Sequence, residues 1–381
     1  MNEPKKLVLL GATGSIGTST LRVIRKHPEK IKLVGISAHS KTEQLLEIAK
    51  EFEVPYASIV NKTSENYSVP KNTELFFGPQ SLEDLATIEE ADLVLVAVVG
   101  AVALLPALAA LKAGKDIVLA NKESLVLGGD ILKETARQSG ARIIPADSEH
   151  NAVFQCIHGE SNRSLESIIL TASGGTFRDL PLENLKDVTV EQALRHPNWS
   201  MGKKITVDSA TMANKGLELI EAYWLFDLPA EKLEVVIHPT SIVHAIVRFK
   251  DGCCLAQMSP PSMTFALQNA ILYPERHPGV DPTIDFSQPL DLSFQPPSMD
   301  RYPCLKLAQD ALKVGMSAPL VFNAANEIAV DAFLRNRIGF LDISRIIENT
   351  LNISKYIKTD NIETLLELDK EARINAEAQI S

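Results

Sequence analysis

The sequence predicts an α/β protein: a doubly wound, Rossmann-like domain comes first, a central α+β domain follows, and a helical bundle closes the chain. Three observations carry this. Through residue 148, short apolar, β-branched runs alternate with helical patterns, as in a mostly parallel sheet covered on both faces. Between 233 and 259, strand-like runs flank the turn Lys250-Asp251-Gly252, which calls for antiparallel pairing. From 304 onward the stretches are helical, with cap signals at Asp342 and Asp360. The expected divisions are 1–148, 149–273, a linker at 274–303 with seven prolines from Pro274 to Pro303, and 304–381.

At 381 residues the chain has material for two or three domains, each with its own core. Its 45% hydrophobic and 23% charged residues are ordinary for a globular protein. A formal charge of −10 argues against nucleic acid or an anionic membrane as partner, so an anionic substrate needs locally placed cations or helix N-termini. Cys156, Cys253, Cys254 and Cys304 form no C-x-x-C pair or secreted framework, which reads as reduced thiols in a cytoplasmic protein. Leu93 to Leu111 carries no charge and has the length of a bilayer span, but its first half is β-branched and its second is Ala/Leu-rich with Pro106 near the start. That is a strand followed by a helix.

Taken in order, Leu7-Val8-Leu9-Leu10 is a buried strand that runs into Gly11-Ala12-Thr13-Gly14-Ser15-Ile16-Gly17 and then a helical pattern. Such a turn lets backbone approach a pyrophosphate, which sits on the N–H groups opening the helix. The next strand, Lys32 to Ser37, ends in Ala38-His39-Ser40-Lys41, with no acid to accept from a ribose 2′-hydroxyl. Hydroxyl and cationic groups there favour NADP over NAD; a simple helix cap at Ser40 or Thr42 is the competing explanation. Further strands at 57–60, 92–99 and 116–120 complete the alternation, and the last ends at Asn121-Lys122-Glu123-Ser124.

The run Ile143-Ile144-Pro145 carries Asp147-Ser148-Glu149-His150 at its carboxyl end, where open α/β sheets place ligands. If that tip stays extended, both carboxylates point the same way and can hold a hard divalent cation, though the same string also serves to cap a helix. Lys122 shares this edge. After a strand at 167–172 come Ser173-Gly174-Gly175-Thr176, suited to wrapping a phosphate, and Arg195-His196-Pro197-Asn198-Trp199-Ser200-Met201-Gly202, suited to a flap. A strand Lys204-Ile205-Thr206-Val207 is expected before a helix from Ala213 to Phe226, on which Asn214 and Glu218 share a face and Lys215 pairs with Glu218. Gly216 costs that helix about 1 kcal/mol relative to Ala, which suggests a functional first turn. His238 and His244 read as satisfied sheet histidines, while Asn323-Ala324-Ala325-Asn326-Glu327 has a functional look that packing between helices explains as well.

Together these motifs resemble the 1-deoxy-D-xylulose 5-phosphate reductoisomerase family along nearly the whole chain. The resemblance rests on 11–17, 120–124, 145–150, 195–202 and 207–218, in that order. It implies an NADPH-dependent, Mg²⁺- or Mn²⁺-requiring homodimer that converts 1-deoxy-D-xylulose 5-phosphate into 2-C-methyl-D-erythritol 4-phosphate for isoprenoid synthesis. It further implies that Asp147, Glu149 and Glu218 hold the ion, with Lys122 steadying a substrate hydroxyl and Glu149 taking part in proton transfer. Ser148, Ser173, Ser209, Asn214 and Lys215 match substrate positions, the last four largely around the phosphate, and His196, Trp199 and Met201 match the loop that closes over it. Thr13, Gly14, Ser15 and Ile16 match the pyrophosphate turn, and His39, Ser40 and Lys41 the 2′-phosphate. Asn121, Glu123 and Gly202 complete the cofactor set.

One departure stands out. Where the family runs Gly-x-Pro-Asp-Met-Arg, this chain has Ser259-Pro260-Pro261-Ser262-Met263-Thr264, so an acid and an arginine are absent. A metal-independent NADP-linked dehydrogenase of a semialdehyde or sugar phosphate, or a non-catalytic NADP sensor, would need the glycine turn but not three carboxylates.

Overall fold

The computed structural model describes residues 3–61, 67–199 and 201–380. Contacts divide the chain into two compact units: residues 1–124, 130–151 and 262–283 in the first, and 125–129, 152–261 and 284–381 in the second. The second unit runs on through the C-terminal helices.

The first unit alternates β1 (Lys5–Leu10), α1 (Ser15–Lys26), β2 (Ile31–Ala38), α2 (Thr42–Glu51), β3 (Tyr56–Ile59), β4 (Glu74–Phe77), α3 (Ser81–Ala86), β5 (Leu93–Val96), α4 (Leu104–Lys112), β6 (Asp116–Leu119), α5 (Lys122–Ser139), β7 (Ile143–Pro145) and the start of α6 (Ser148–Cys156). Its strands form one sheet in the order β4-β3-β2-β1-β5-β6-β7, and every neighbouring pair is parallel. Leu7 to Leu10 and Val94 to Val96 are completely buried, as expected for central strands covered on both faces. The uncharged stretch 93–111 is β5 followed by α4, and among the described residues no helix is long and apolar enough to cross a membrane.

In the second unit β8 (Leu165–Ala172) is followed by α7 (Val190–Ala193), α8 (Lys203–Thr211), α9 (Ala213–Phe226), β9 (Leu233–Ile237), β10 (Val243–Phe249) and β11 (Cys254–Met258). The sheet order is β11-β10-β8-β9; β10 runs antiparallel to both neighbours, while β8 and β9 are parallel. After α10 (Met263–Leu272), four helices complete the chain: α11 (Pro303–Val314), α12 (Ala318–Leu334), α13 (Asp342–Ile353) and α14 (Ile362–Glu377). Neither expected cap holds: the N-cap of α13 is Leu341 with no side-chain cap and Asp342 is its first helical residue, while α14 is capped by Asn361, whose side chain accepts from Thr364 N at 2.8 Å, and not by Asp360.

Helix α10 belongs to the first unit, where it packs on α1; Lys5 Nζ donates to the carbonyls of Ile271 (3.1 Å) and Tyr273 (2.6 Å) at its end.

Two local expectations are corrected. Residues 204–207 are helical rather than extended: Ile205 and Val207 alternate like a strand, but Thr206 Oγ1 donates to the Gly202 carbonyl at 2.8 Å and Lys204 pairs with Asp208 at 2.9 Å one turn on. The tip after β7 is not extended past Asp147 either. Asn151 N donates to the Asp147 carbonyl at 2.8 Å and Asn151 Nδ2 to Pro145 O at 3.0 Å, so the chain turns into α6 at once and Glu149 lies in its first turn.

Gly216 has a packing explanation. A Cβ there would collide with Cβ of Ala308, so the glycine lets α9 and α11 approach closely, offsetting its low helix propensity.

Candidate active site

At the β1–α1 turn, Gly17 admits no side chain, since a Cβ would run into the carbonyls of Gly11 and Ala12; this clamps the helix start against the strand end. Ser37 holds the turn from β2, accepting from Gly11 N at 3.0 Å through its hydroxyl and from Ala12 N at 2.8 Å through its carbonyl. Gly14 occupies the N-cap position of α1 with no side-chain cap, so Thr13, Gly14, Ser15 and Ile16 surround an uncapped helix start. His39 and Lys41 are exposed and Ser40 half-buried just beyond β2. Neither Ser40 nor Thr42 caps α2, whose N-cap residue is Lys41 with no side-chain bond.

Asn121 is 2% exposed and its side chain stitches the neighbouring loop together. Its Oδ1 accepts from Ser124 N at 2.7 Å, and its Nδ2 donates to the carbonyls of Val98 (2.9 Å) and Gly100 (3.2 Å) and to Glu123 (2.8 Å). Lys122, the first residue of α5, forms an ion pair with Asp147 at the tip of β7. Ser148 Oγ donates to Glu149 at 2.6 Å. Lys122, Asp147, Ser148 and Glu149 therefore form one polar cluster on the carboxyl edge of the parallel sheet. Asp147 and Glu149 supply hard oxygen donors of the kind Mg²⁺ and Mn²⁺ prefer, and Lys122 is the counter-ion of Asp147.

In the second unit the loop after β8 meets α8 and the 194–202 segment. His196 Nδ1 accepts from the backbone N–H groups of Asn198 (3.1 Å) and Trp199 (3.0 Å), which assigns the proton of the neutral ring to Nε2. That nitrogen faces Ser173 Oγ at 3.0 Å and Ser209 Oγ at 3.1 Å. Burial lowers the His196 pKa and so favours the neutral ring. Asn198 Nδ2 anchors the same segment to the Pro239 carbonyl (2.6 Å) and Ser241 Oγ (3.0 Å), while Trp199 meets the edge of His244 at 6.2 Å between centroids. Met201 is half-buried, Gly202 exposed, and Ser200 lies outside the described residues.

Met212, in the left-handed region at φ 61°, joins α8 to α9 and leaves the α9 start without a side-chain cap. In that first turn Lys215 (3% exposed) pairs with Glu218 (1% exposed), and Asn214 Nδ2 donates to the other Glu218 oxygen. Asn214 Oδ1 is buried with no hydrogen-bond partner among the described residues, an acceptor in want of a donor. His238 and His244 are satisfied as expected: His238 by Ser293 O and Thr240, His244 by Ser259.

The residues at the 262–264 departure have partners of their own. Ser262 and Thr264 both donate to Asp281, at 2.5 and 2.7 Å, and Asp281 is paired with Arg22 on α1. Burial raises the Asp281 pKa, yet the hydrogen bonds from Ser262, Thr264 and Arg22 outweigh it and hold the carboxyl below its ordinary range. An acid and an arginine are thus present around Met263, drawn from elsewhere in the chain.

Comparison with known proteins decides the family. Profiles described as 1-deoxy-D-xylulose 5-phosphate reductoisomerase and its C-terminal domain match residues 7–129 and 143–226, and one described as the DXP reductoisomerase C-terminal domain matches 258–375. The curated 1-deoxy-D-xylulose 5-phosphate reductoisomerase of Thermodesulfovibrio yellowstonii is 47% identical over 99% of both chains, and that of Geobacter metallireducens 48% identical over 97% of both. The chain belongs to the 1-deoxy-D-xylulose 5-phosphate reductoisomerase family. A crystal structure of a reductoisomerase in complex with NADPH, fosmidomycin and magnesium superposes with a TM-score of 0.92 at 40% identity, covering 99% of this chain and 98% of that one. The Zymomonas mobilis reductoisomerase in complex with NADPH gives 0.90 at 38% identity, with both chains fully covered.

Several participants escaped the sequence reading. Arg22 and Asp281, 259 positions apart, offered no local signal. Asp208 and Lys204 did, through their i,i+4 spacing, but the strand assignment hid it.

Proposed function

We propose that this chain converts 1-deoxy-D-xylulose 5-phosphate into 2-C-methyl-D-erythritol 4-phosphate, with NADPH as reductant and Mg²⁺ or Mn²⁺ as metal cofactor. The observation that carries this reading is the match to a curated reductoisomerase at 47% identity over 99% of both chains. The relative solved with NADPH, fosmidomycin and magnesium supports the same cofactors here.

Asp147, Glu149 and Glu218 are the residues we assign to the ion, which when bound acts as a Lewis acid on substrate oxygens. Lys122 steadies a substrate hydroxyl, and Glu149, with Ser148 donating to it, takes part in proton transfer. Ser173, Ser209, Asn214 and Lys215 hold the phosphate. The neutral Nε2–H of His196 orients the two serine hydroxyls, and the unpartnered Asn214 Oδ1 is free to accept from a substrate hydroxyl. His196, Trp199 and Met201 exclude water from the reacting carbons. On the cofactor side, Thr13, Gly14, Ser15 and Ile16 take the pyrophosphate on N–H groups, and His39, Ser40 and Lys41 the 2′-phosphate. Asn121 and Glu123 shape the loop beside the nicotinamide, and Gly202 completes the set. We further assign the enzyme to the cytoplasm as a homodimer; among the described residues β11 has a neighbour on one side only and is mostly exposed, which leaves a sheet edge for a second copy.

Consumption of NADPH tests the reading: it should require both 1-deoxy-D-xylulose 5-phosphate and Mg²⁺ or Mn²⁺ and stop with chelator. Turnover that persists in chelator rejects the metal assignment, and NADPH binding without turnover rejects the activity.

A further inference from the structure

The polar face of α12 is unexplained by the family chemistry. Asn326, like Asn323 one turn before it, is completely buried on α12, and its Nδ2 donates to Asp208 Oδ1 at 2.9 Å. Asp208, 1% exposed, receives Lys204 on its other side at 2.9 Å. A buried carboxylate lacking such partners is costly, so the three residues hold one another. Cys304 on α11 feels the same charge: burial pushes its thiol up to about 12, and Asp208 adds to the shift.

The consequence lies one residue further on. Ser209 follows Asp208, so the two side chains leave α8 about 100° apart. Asp208 faces α12, while Ser209 Oγ meets His196 Nε2 at 3.1 Å. The 173–175 loop presses on the same helix, since a Cβ at Gly175 would lie 2.5 Å from the Ser209 carbonyl oxygen. Helix α8 has nine residues and ends at left-handed Met212, too short to fix its own orientation. Its rotation is therefore set by what grips it.

We propose that Asn326, acting through Asp208, is a positioning residue for the phosphate end of the site. The Asn326–Asp208–Lys204 relay sets the rotation of α8 and with it the placement of Ser209 Oγ against His196. This rests on the reading that Ser209 binds the substrate phosphate.

The test uses the full-length enzyme, with inorganic phosphate as competing probe. In Asn326→Asp the donor becomes a second acid, and we expect KM for 1-deoxy-D-xylulose 5-phosphate and the inhibition constant of phosphate to rise about tenfold, while kcat and NADPH affinity change less than about threefold. The exchange Asp208→Asn with Asn326→Asp restores a donor–acceptor pair in the opposite sense and should recover most of the loss. An unchanged KM in the single variant, no recovery in the exchange, or NADPH affinity falling in parallel overturns the proposal. Ser209→Ala run alongside separates the two ideas: no effect there rejects the phosphate reading itself, whereas an effect there with none in Asn326→Asp rejects only the relay. Should Asn326→Asp not fold, Lys204→Met opens the relay at its partly exposed end, and a KM that does not rise about threefold overturns the proposal equally.

Discussion

His196 Nε2 stands 3.1 Å from Ser209 Oγ while the other ring nitrogen is held by two backbone N–H groups of its own segment. The ring is fixed in one tautomer, and protonation would set a new N–H against two others at Nδ1. The pKa is lowered from 6.5 by burial, so the unfolded chain binds the proton more readily than the folded one. Stability is then full above about pH 6.5 and declines as pH falls below it toward the folded value. His196→Gln, which cannot protonate, should lose less stability than wild type between about pH 7 and 5 by denaturant titration. Equal losses would remove this residue from the acid response.

Glu218→Gln keeps the shape and removes the charge. We expect turnover to fall by about a hundredfold or more, Mn²⁺ affinity to weaken similarly and NADPH affinity to stay near wild type. The variant also leaves Lys215 buried without its counter-ion, a change of about 3 kcal/mol in stability by analogy with other broken buried pairs. Full turnover in the variant would take Glu218 out of the metal site.

Asp281→Ala removes the acceptor shared by Ser262, Thr264 and Arg22. Because Arg22 is 45% and Asp281 19% exposed, solvent screens the pair, and we expect a loss of only about 1 kcal/mol. Thermal unfolding should show a drop of about 2 °C. A double variant with Arg22→Ala that lost the full sum of the single effects would show that the two residues do not act together.

Lys41→Glu places a negative charge where the 2′-phosphate is assigned. The expected outcome is a selective loss of NADPH, about tenfold or more, with NADH use little altered. An unchanged preference between the two cofactors would move the 2′-phosphate elsewhere.

Much of the fold could be read directly. The glycine turn, the β-branched runs and α9 from Ala213 to Phe226 stand where local pattern put them, because burial and periodicity agree there. The failures arose where distant contacts decide. Residues 204–207 alternate like a strand, but Gly202, Asp208 and Asn326 stabilise a helix. Residues 262–283 follow the second sheet in sequence and yet pack on α1, through Lys5 and Asp281. Gly216 looked like a concession to chemistry and is a helix-crossing device against Ala308. The candidate site residues within each unit were legible as motifs; the partners that orient them, Arg22, Asp281 and Asn326, were not, because no sequence spacing encodes them.

The lysine beside each principal acid, Lys122 at Asp147 and Lys215 at Glu218, has a consequence for how the polypeptide lives between encounters with metal. Each of these carboxylates already has an ammonium group as counter-ion within its own unit. On the metal assignment proposed above, an arriving divalent ion would have to compete with a lysine at each of them.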